Sequence, residues 1–359
     1  MPAIFGAVSG WTWHLARARS MAMTPPDIAT LVADPCWLAY RYDWRRDEVQ
    51  FVRLPREAHR TAVFLPGPAV ANAPRHAVPR ASLPGYRPVQ APLHLILHSG
   101  LTGSTLLAQA LDQPGVAMTL SEPPILTDVM SHRLSGVTPQ QSAAVLDDVL
   151  MLLARPFAPG EAVVIKMGNI GNALGGDILA RRTDSKALCL NAPLPVYLAS
   201  AARKGLMGRI WARKLFVALR SARLTELGFT EDEVFEHTDL QIAADAWLAL
   251  HRVMGQTSAQ FGARVRSIGS EALLERPSAA LTAIAAHFGL ALDVPAIVEG
   301  PLFQRHAKSG QPFDANRRAD ELRDAAATHR DEIDMVVQWA RSVADTQRIA
   351  WELLNSLAA

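Results

Sequence analysis

Lysine is scarce in this chain. Of 36 basic residues only five are lysine, at positions Lys166, Lys186, Lys204, Lys214 and Lys308. The rest are arginine, which together with the abundant alanine points to the coding bias of a GC-rich bacterium. Each lysine therefore calls for a reason. Cysteine is scarcer still: Cys36 and Cys189 lie far apart with no metal-type neighbours, which implies no disulfide framework and no zinc site and fits a reducing cytoplasm. Cys189 falls in an apolar run, where a free thiol packs as a small hydrophobe. No apolar run reaches membrane-spanning length. The apolar start has no basic stretch before it and makes a poor secretory signal. Residues 1 to 22 are expected to be a disordered or overcalled start, with Met21 or Met23 as alternative first residues. A net charge of +2 is too small for a general binder of nucleic acid or of membrane surfaces.

What is present divides into two regions. Residues 23 to 92 read as a small N-terminal α+β region: TPPDIATLVADP offers a capped helix and EVQFVRLP alternates like a half-buried strand. Its Pro- and Gly-rich end, residues 66 to 92, has no periodicity and reads as a linker or extended wrap. From residue 93 to 359 short apolar strands alternate with helices. The strands are LHLILH (93–98), GVAMTL (115–120), AVVIKM (162–167), KALCLNA (186–192) and ARVRSIG (263–269). The helices include one broken by Gly205 and Gly208, a long region over 231–258, and one or two amphipathic helices from Arg317 to Leu357. This pattern predicts a three-layer α/β/α fold with a mostly parallel five-stranded sheet. Ligands in such a sheet sit beyond the carboxyl ends of the strands. The residues there are Ser99 to Thr105, Ser121 and Glu122, Lys166 and Asn169, and Asn191.

HSGLTGSTLL (98–107) joins the first of these strands to a helix. Glycines and hydroxyls in that setting gather backbone N–H groups around one concavity, at the positive end of the helix dipole. The plain alternative is a glycine turn with a Ser/Thr cap. A nucleotide P-loop, G-x-x-x-x-G-K-[ST], would need glycine at His98 and lysine at Ser104, so an ATPase or kinase is disfavoured.

Several segments, in order, resemble those of the sulfotransferase family that uses 3′-phosphoadenosine 5′-phosphosulfate. LTGSTLL overlays the family's strand–loop–helix motif P-[KR]-S-G-T-T-x-L. TLSEPP (119–124) resembles the segment whose glutamate serves as base. KALCLNAPLPVYLAS (186–200) resembles the strand and Ser-bearing helix that hold the 3′-phosphate. SIGSEALLERPSAALTAIAAHFGL (267–290) and RHAKSG (305–310) resemble two later segments, the second a His-Ser-Lys loop. The resemblance spans roughly residues 93 to 320. It implies a P-loop-type fold and an in-line sulfuryl transfer to a hydroxyl or amine of a small-molecule or peptide acceptor. No metal and no nucleic acid are expected.

The resemblance places Glu122 at the chemistry; Lys166 joins it on its own setting, since a lysine ending an apolar strand is costly unless it is paired or bound to an anion. The loop residues Ser99, Gly100, Thr102, Gly103, Ser104 and Thr105, the strand-end and helix positions Asn191 and Ser200, and the cations Arg203, Lys204 and Lys308 are expected at the nucleotide. The departures are specific. Leu101 stands where the family keeps a loop cation, Asn191 stands where it keeps arginine, and the serine falls one place late at Ser200. RKGLMGR (203–209) resembles the family's late Arg-Lys-Gly loop at the wrong place in the chain. Lys166, Arg203, Lys204, Arg209 and Lys308 are candidate substitute cations. Without one of them, the fold would bind an anion and transfer nothing. A kinase-like transfer is weaker still, because no acidic pair for magnesium stands out. Each residue also has a plain reading: Glu122 as a turn carboxylate, Lys308 as a solvated lysine, His94 and His98 as structural imidazoles, and Arg264 and Arg266 as a solvated edge. The acceptor's identity and the oligomeric state stay open.

Overall fold

The computed structural model describes residues 26–65 and 67–357; the expectation for the first 22 residues lies outside that range. Two sheets organise the chain. The smaller is antiparallel, in the order β1 (Trp37–Asp43), β2 (Glu48–Arg53), β3 (Arg75–Pro79). The larger is parallel throughout, in the order β5 (Ala117–Ser121), β6 (Ala162–Lys166), β4 (Leu93–His98), β7 (Ala187–Asn191), β8 (Val265–Gly269). Helices cover both of its faces, which gives the expected three-layer α/β fold.

The parallel strands are apolar because both of their faces are buried. Side chains alternate along β4. Leu93, Leu95 and Leu97 pack with the Pro124–Leu134 and Pro139–Leu153 helices, while Ile96 packs with the Ser104–Leu111 and Pro277–Phe288 helices. The first of these cores runs on without interruption into Trp37, Tyr42, Phe51 and Val52 of the antiparallel sheet. Arg155 helps to fasten the two together. It is 3% exposed, and its guanidinium donates to the carbonyls of Leu31, Val32, Asp34, Trp37 and Leu152.

The structure departs from the sequence expectation in four places. The Pro-rich segment is not featureless: it carries β3, an edge strand, where the missing N–H of Pro79 at its last position is tolerated. Gly205 (φ +55) does separate the helices Leu194–Arg203 and Gly205–Ser221, but Gly208 lies inside the second one. A Cβ on Gly208 would come within 2.0 Å of the Ala201 carbonyl oxygen, so glycine there permits close helix packing. The long region after 231 is two helices, Glu231–Glu236 and Asp239–Phe261, each opened by its own capping box, from Thr230 and from Thr238. Arg264 is no solvated edge, since it donates to the carbonyls of Leu179, Arg182 and Ser185.

Candidate functional site

The loop after β4 has an unusual backbone. Gly100 (φ +80), Leu101 (φ +55) and Gly103 (φ +76) all take left-handed conformations. For leucine this costs about 1–2 kcal/mol, a cost that tends to be kept at functional turns. The Leu101 side chain packs partly against the helical core formed by the Leu194–Arg203 and Asp239–Phe261 helices. Gly103 is the N-cap of the Ser104–Leu111 helix and supplies no capping side chain. The capping alternative is thereby removed, because Ser104 and Thr105 lie within the first turn and the first-turn amides have no side-chain acceptor.

Buried imidazole chemistry fixes the loop's entrance. His98 is held neutral, its pKa pushed down to about 3 by burial and then by the nearby Lys166 charge. Its Nε2–H donates to the Met167 carbonyl at 2.9 Å, which leaves Nδ1 to accept the Gly100 N–H at 3.1 Å. The Gly100 amide is thus committed to His98, and an anion is left with the amides that follow. Asn172 brackets the same turn, donating from Nδ2 to the His98 carbonyl at 2.8 Å. His94 and His98 therefore take their structural reading; His94 stacks on Phe288 and accepts the Lys186 N–H.

The loop opens into a cavity of about 640 Å³. Of the expected residues, Thr102, Gly103, Ser104, Thr105, Ser200, Arg203, Lys204 and Lys308 line it. Ser99, Gly100, Asn191, Glu122 and Lys166 do not. Asn191 ends β7 beside Gly269 and is not part of the cavity wall. The cavity also gathers residues the sequence analysis missed, notably Arg305, His306, Arg317 and Arg318. They lie in loops and at a helix start, where no local pattern marks them.

Charge in the cavity is unevenly matched. Glu321 pairs with Arg203 and with Arg317, and Glu271 pairs with Arg318. Among the described residues Lys204, Arg305 and Lys308 have no carboxylate partner. Two groups there carry the mark of the shared positive charge. His306 is lowered by burial and then by Lys308, Lys204 and Arg203. Lys204, although its side chain is exposed, is lowered by desolvation at the cavity wall and then by Lys308 and Arg203. The Thr102 hydroxyl lies at this wall, 1% exposed and without a hydrogen-bond partner, and the Ser99 hydroxyl behind it is likewise buried and unpartnered.

Glu122 and Lys166 form a second cluster beside the first. The Lys166 ammonium, 1% exposed, pairs with the Glu122 carboxylate. Burial lowers the Lys166 pKa against the opposing pull of Glu122. Glu122 is another non-glycine residue at positive φ (+57), held there by its N–H donating to the Lys166 carbonyl at 2.8 Å. Phe64, from the N-terminal region, links the clusters. The Lys166 Nζ lies 4.7 Å and the Lys308 Nζ 5.2 Å from the centroid of its ring. No group of three or more His, Cys, Asp or Glu among the described residues is placed to hold a metal ion.

No family model matches the chain, and no curated protein sequence matches it. Among solved structures it is similar to a sulfotransferase domain from the curacin biosynthetic pathway, at 15% identity over 67% of this chain and 97% of that one, with a TM-score of 0.37. It is also similar to a sulfotransferase domain from the Synechococcus PCC 7002 olefin synthase, at 16% identity over 65% of this chain and 86% of that one, with a TM-score of 0.35.

Proposed function

We propose that this chain binds 3′-phosphoadenosine 5′-phosphosulfate in the cationic cavity and transfers its sulfuryl group to a hydroxyl or amine acceptor. The observation that carries this reading is the uncapped helix start. First-turn amides, the Ser104 and Thr105 hydroxyls and the unpartnered Thr102 hydroxyl share one wall with cations that lack carboxylates. A buried donor without a partner is costly, and a polyanion would satisfy it.

The residues present fit both anionic ends of such a nucleotide. Thr102 to Thr105 would hold the phosphosulfate end, and Ser200, Arg203 and Lys204 would hold the other phosphate. When bound, the nucleotide supplies an activated sulfuryl group whose bond to the phosphate oxygen breaks as the acceptor attacks in line. The chain's own work is positioning and charge stabilisation. Lys308 takes the part of the absent loop cation. Glu122 receives the acceptor's proton, and the neighbouring Lys166 orients its carboxylate. The acceptor is a small molecule or peptide.

Two observations favour binding without transfer. Leu101 occupies the loop position of the expected cation, and Glu122 is engaged by Lys166. Two measurements separate the readings. Isothermal titration with adenosine 3′,5′-bisphosphate tests the site, and absence of binding at millimolar ligand would refute the sulfuryl-transfer reading. Transfer of radiolabelled sulfate to lysate acceptors, lost in Glu122→Gln, distinguishes the enzyme from the binder.

A further inference from the structure

The whole-chain charge of +2 hides a local concentration. Residues 203 to 223 contain seven arginines and lysines and no aspartate or glutamate; the rest of the chain is net negative. Most of this segment is the Gly205–Ser221 helix. Its inner face, with Ala212, Leu215, Phe216 and Leu219, is buried. Its outer face carries large apolar side chains in water: Leu206 is 72% exposed, Met207 70%, Val217 48% and Ile210 36%.

Leu206, Ile210, Arg213, Val217 and Arg220 fall at alternating spacings of four and three, so they share one side of the helix. Met207 and Lys214 run beside them, seven residues apart. Arg209 and Arg213 reach Asp239, and Arg220 reaches Glu231. Among the described residues Lys204, Lys214 and Arg223 have no acidic partner. Two of the chain's five lysines are thus unpaired cations next to exposed leucine and methionine.

We propose that this outward face docks on an anionic lipid surface. Apolar side chains flanked by basic ones are what an interfacial helix presents, the former entering the headgroup boundary and the latter meeting anionic lipid. A second copy of the chain is a poor occupant, because a twofold contact would set two cationic faces against each other. The docked helix lies on the membrane and does not enter it; no helix among the described residues is long and apolar enough to cross one. Arg203 and Lys204, at the head of the segment, also line the cavity, so docking brings the cavity mouth to the headgroup layer. Trp211 of the same helix stands beside the loop, 3.2 Å from where a Cβ on Gly100 would be.

The test is co-sedimentation of the full chain with phosphatidylcholine vesicles, with and without phosphatidylglycerol. The protein should pellet with the anionic vesicles and remain soluble with the neutral ones. Lys214→Glu and the double variant Leu206→Ser/Met207→Ser should each weaken partitioning by about tenfold or more. Both should keep the far-ultraviolet dichroism of the parent and its affinity for adenosine 3′,5′-bisphosphate. The proposal falls if the parent stays in the supernatant with both vesicles. It also falls if the Leu206→Ser/Met207→Ser variant pellets like the parent, which would reduce the effect to charge attraction. Capture by soluble polyglutamate with the same dependence on Leu206 and Met207 would assign the face to an acidic protein and overturn the lipid assignment.

Discussion

Replacing Lys308 by alanine is the sharpest test of the cavity. Lys308 is exposed on the Arg305–Pro312 turn and has no carboxylate partner among the described residues. Its aromatic contact with Phe64 is of the exposed kind worth about 0.5–1 kcal/mol. Removing it should therefore change stability by no more than about 1 kcal/mol. Ligand binding should respond much more. A hydrogen bond from an ammonium to a phosphate oxygen is worth about 1.5–3 kcal/mol, which corresponds to a loss of about 10- to 150-fold in affinity. Isothermal titration with adenosine 3′,5′-bisphosphate at fixed salt reads this directly, and Lys308→Arg should restore part of the loss. A second readout needs no ligand. Lys308 contributes to lowering both His306 and Lys204, so in Lys308→Ala both should titrate at higher pH, which nuclear magnetic resonance of the His306 ring can follow. If His306 moves but the affinity does not, the charge is in place and unused, and Lys308 is not the substitute cation. An unmoved His306 would refute the placement of the turn itself.

Other perturbations separate parts of the structure. Gly100→Ala combines left-handed strain of about 1–2 kcal/mol with a Cβ 3.2 Å from the Trp211 ring, whereas Gly103→Ala meets nothing nearer than Leu273 at 3.8 Å. In urea denaturation Gly100→Ala should be the more destabilised, and equal midpoints would contradict the loop's packing. Arg155→Met leaves five buried carbonyls without their donor and should cost about 2–5 kcal/mol; a loss below about 1 kcal/mol would mean that water replaces it. Stability should also fall with acid. Burial pushes His59 and His98 down to about 3, and His94 and His251 down to about 4. The unfolded chain binds these protons below its ordinary imidazole value of about 6.5 while the folded chain refuses them, so stability is full above that pH and declines from there toward 3–4. Each histidine contributes a slope approaching about 1.4 kcal/mol per pH unit. Denaturation midpoints at neutral pH and at about pH 5.5 would check it, and a flat profile would refute the burial of these imidazoles.

The parallel sheet was legible because its signal is local. LHLILH is β4 to the residue, and the other four strands fall within about two residues of their apolar runs. The antiparallel sheet was half legible. EVQFVR shows alternation, but WLAYRYD is buried at most positions and shows none, and β3 hides among prolines. The capping boxes at Thr230 and Thr238 are written in the sequence, T-x-x-E and T-x-x-Q, and could have divided the long helix. Part of the cavity wall was legible beside the end of β4, and the rest was not. Ser104, Thr105 and Ser200 reach the cavity from recognisable elements. Arg305, Arg317 and Arg318 arrive from late in the chain, and only tertiary packing brings them to the loop. Asn191 sits at the expected strand end but is not part of the cavity wall.

The position of Phe64 ties folding to binding. A single ring from the N-terminal region meets the ammonium groups of Lys166 and Lys308, and the backbone around it is fastened to β5 by the Leu65 N–H donating to the Ser121 carbonyl and by the Ser121 hydroxyl donating to the Val63 carbonyl. The site therefore depends on a segment that an excised fragment starting at Leu93 would not contain. Local opening of the segment around Phe64 would withdraw the ring from both ammonium groups, leaving Lys166 paired with Glu122 and Lys308 without its aromatic contact, so ligand and N-terminal region are thermodynamically linked. Saturating anion should slow exchange of the Leu65 amide, which donates to the Ser121 carbonyl, by the factor with which it favours the closed state.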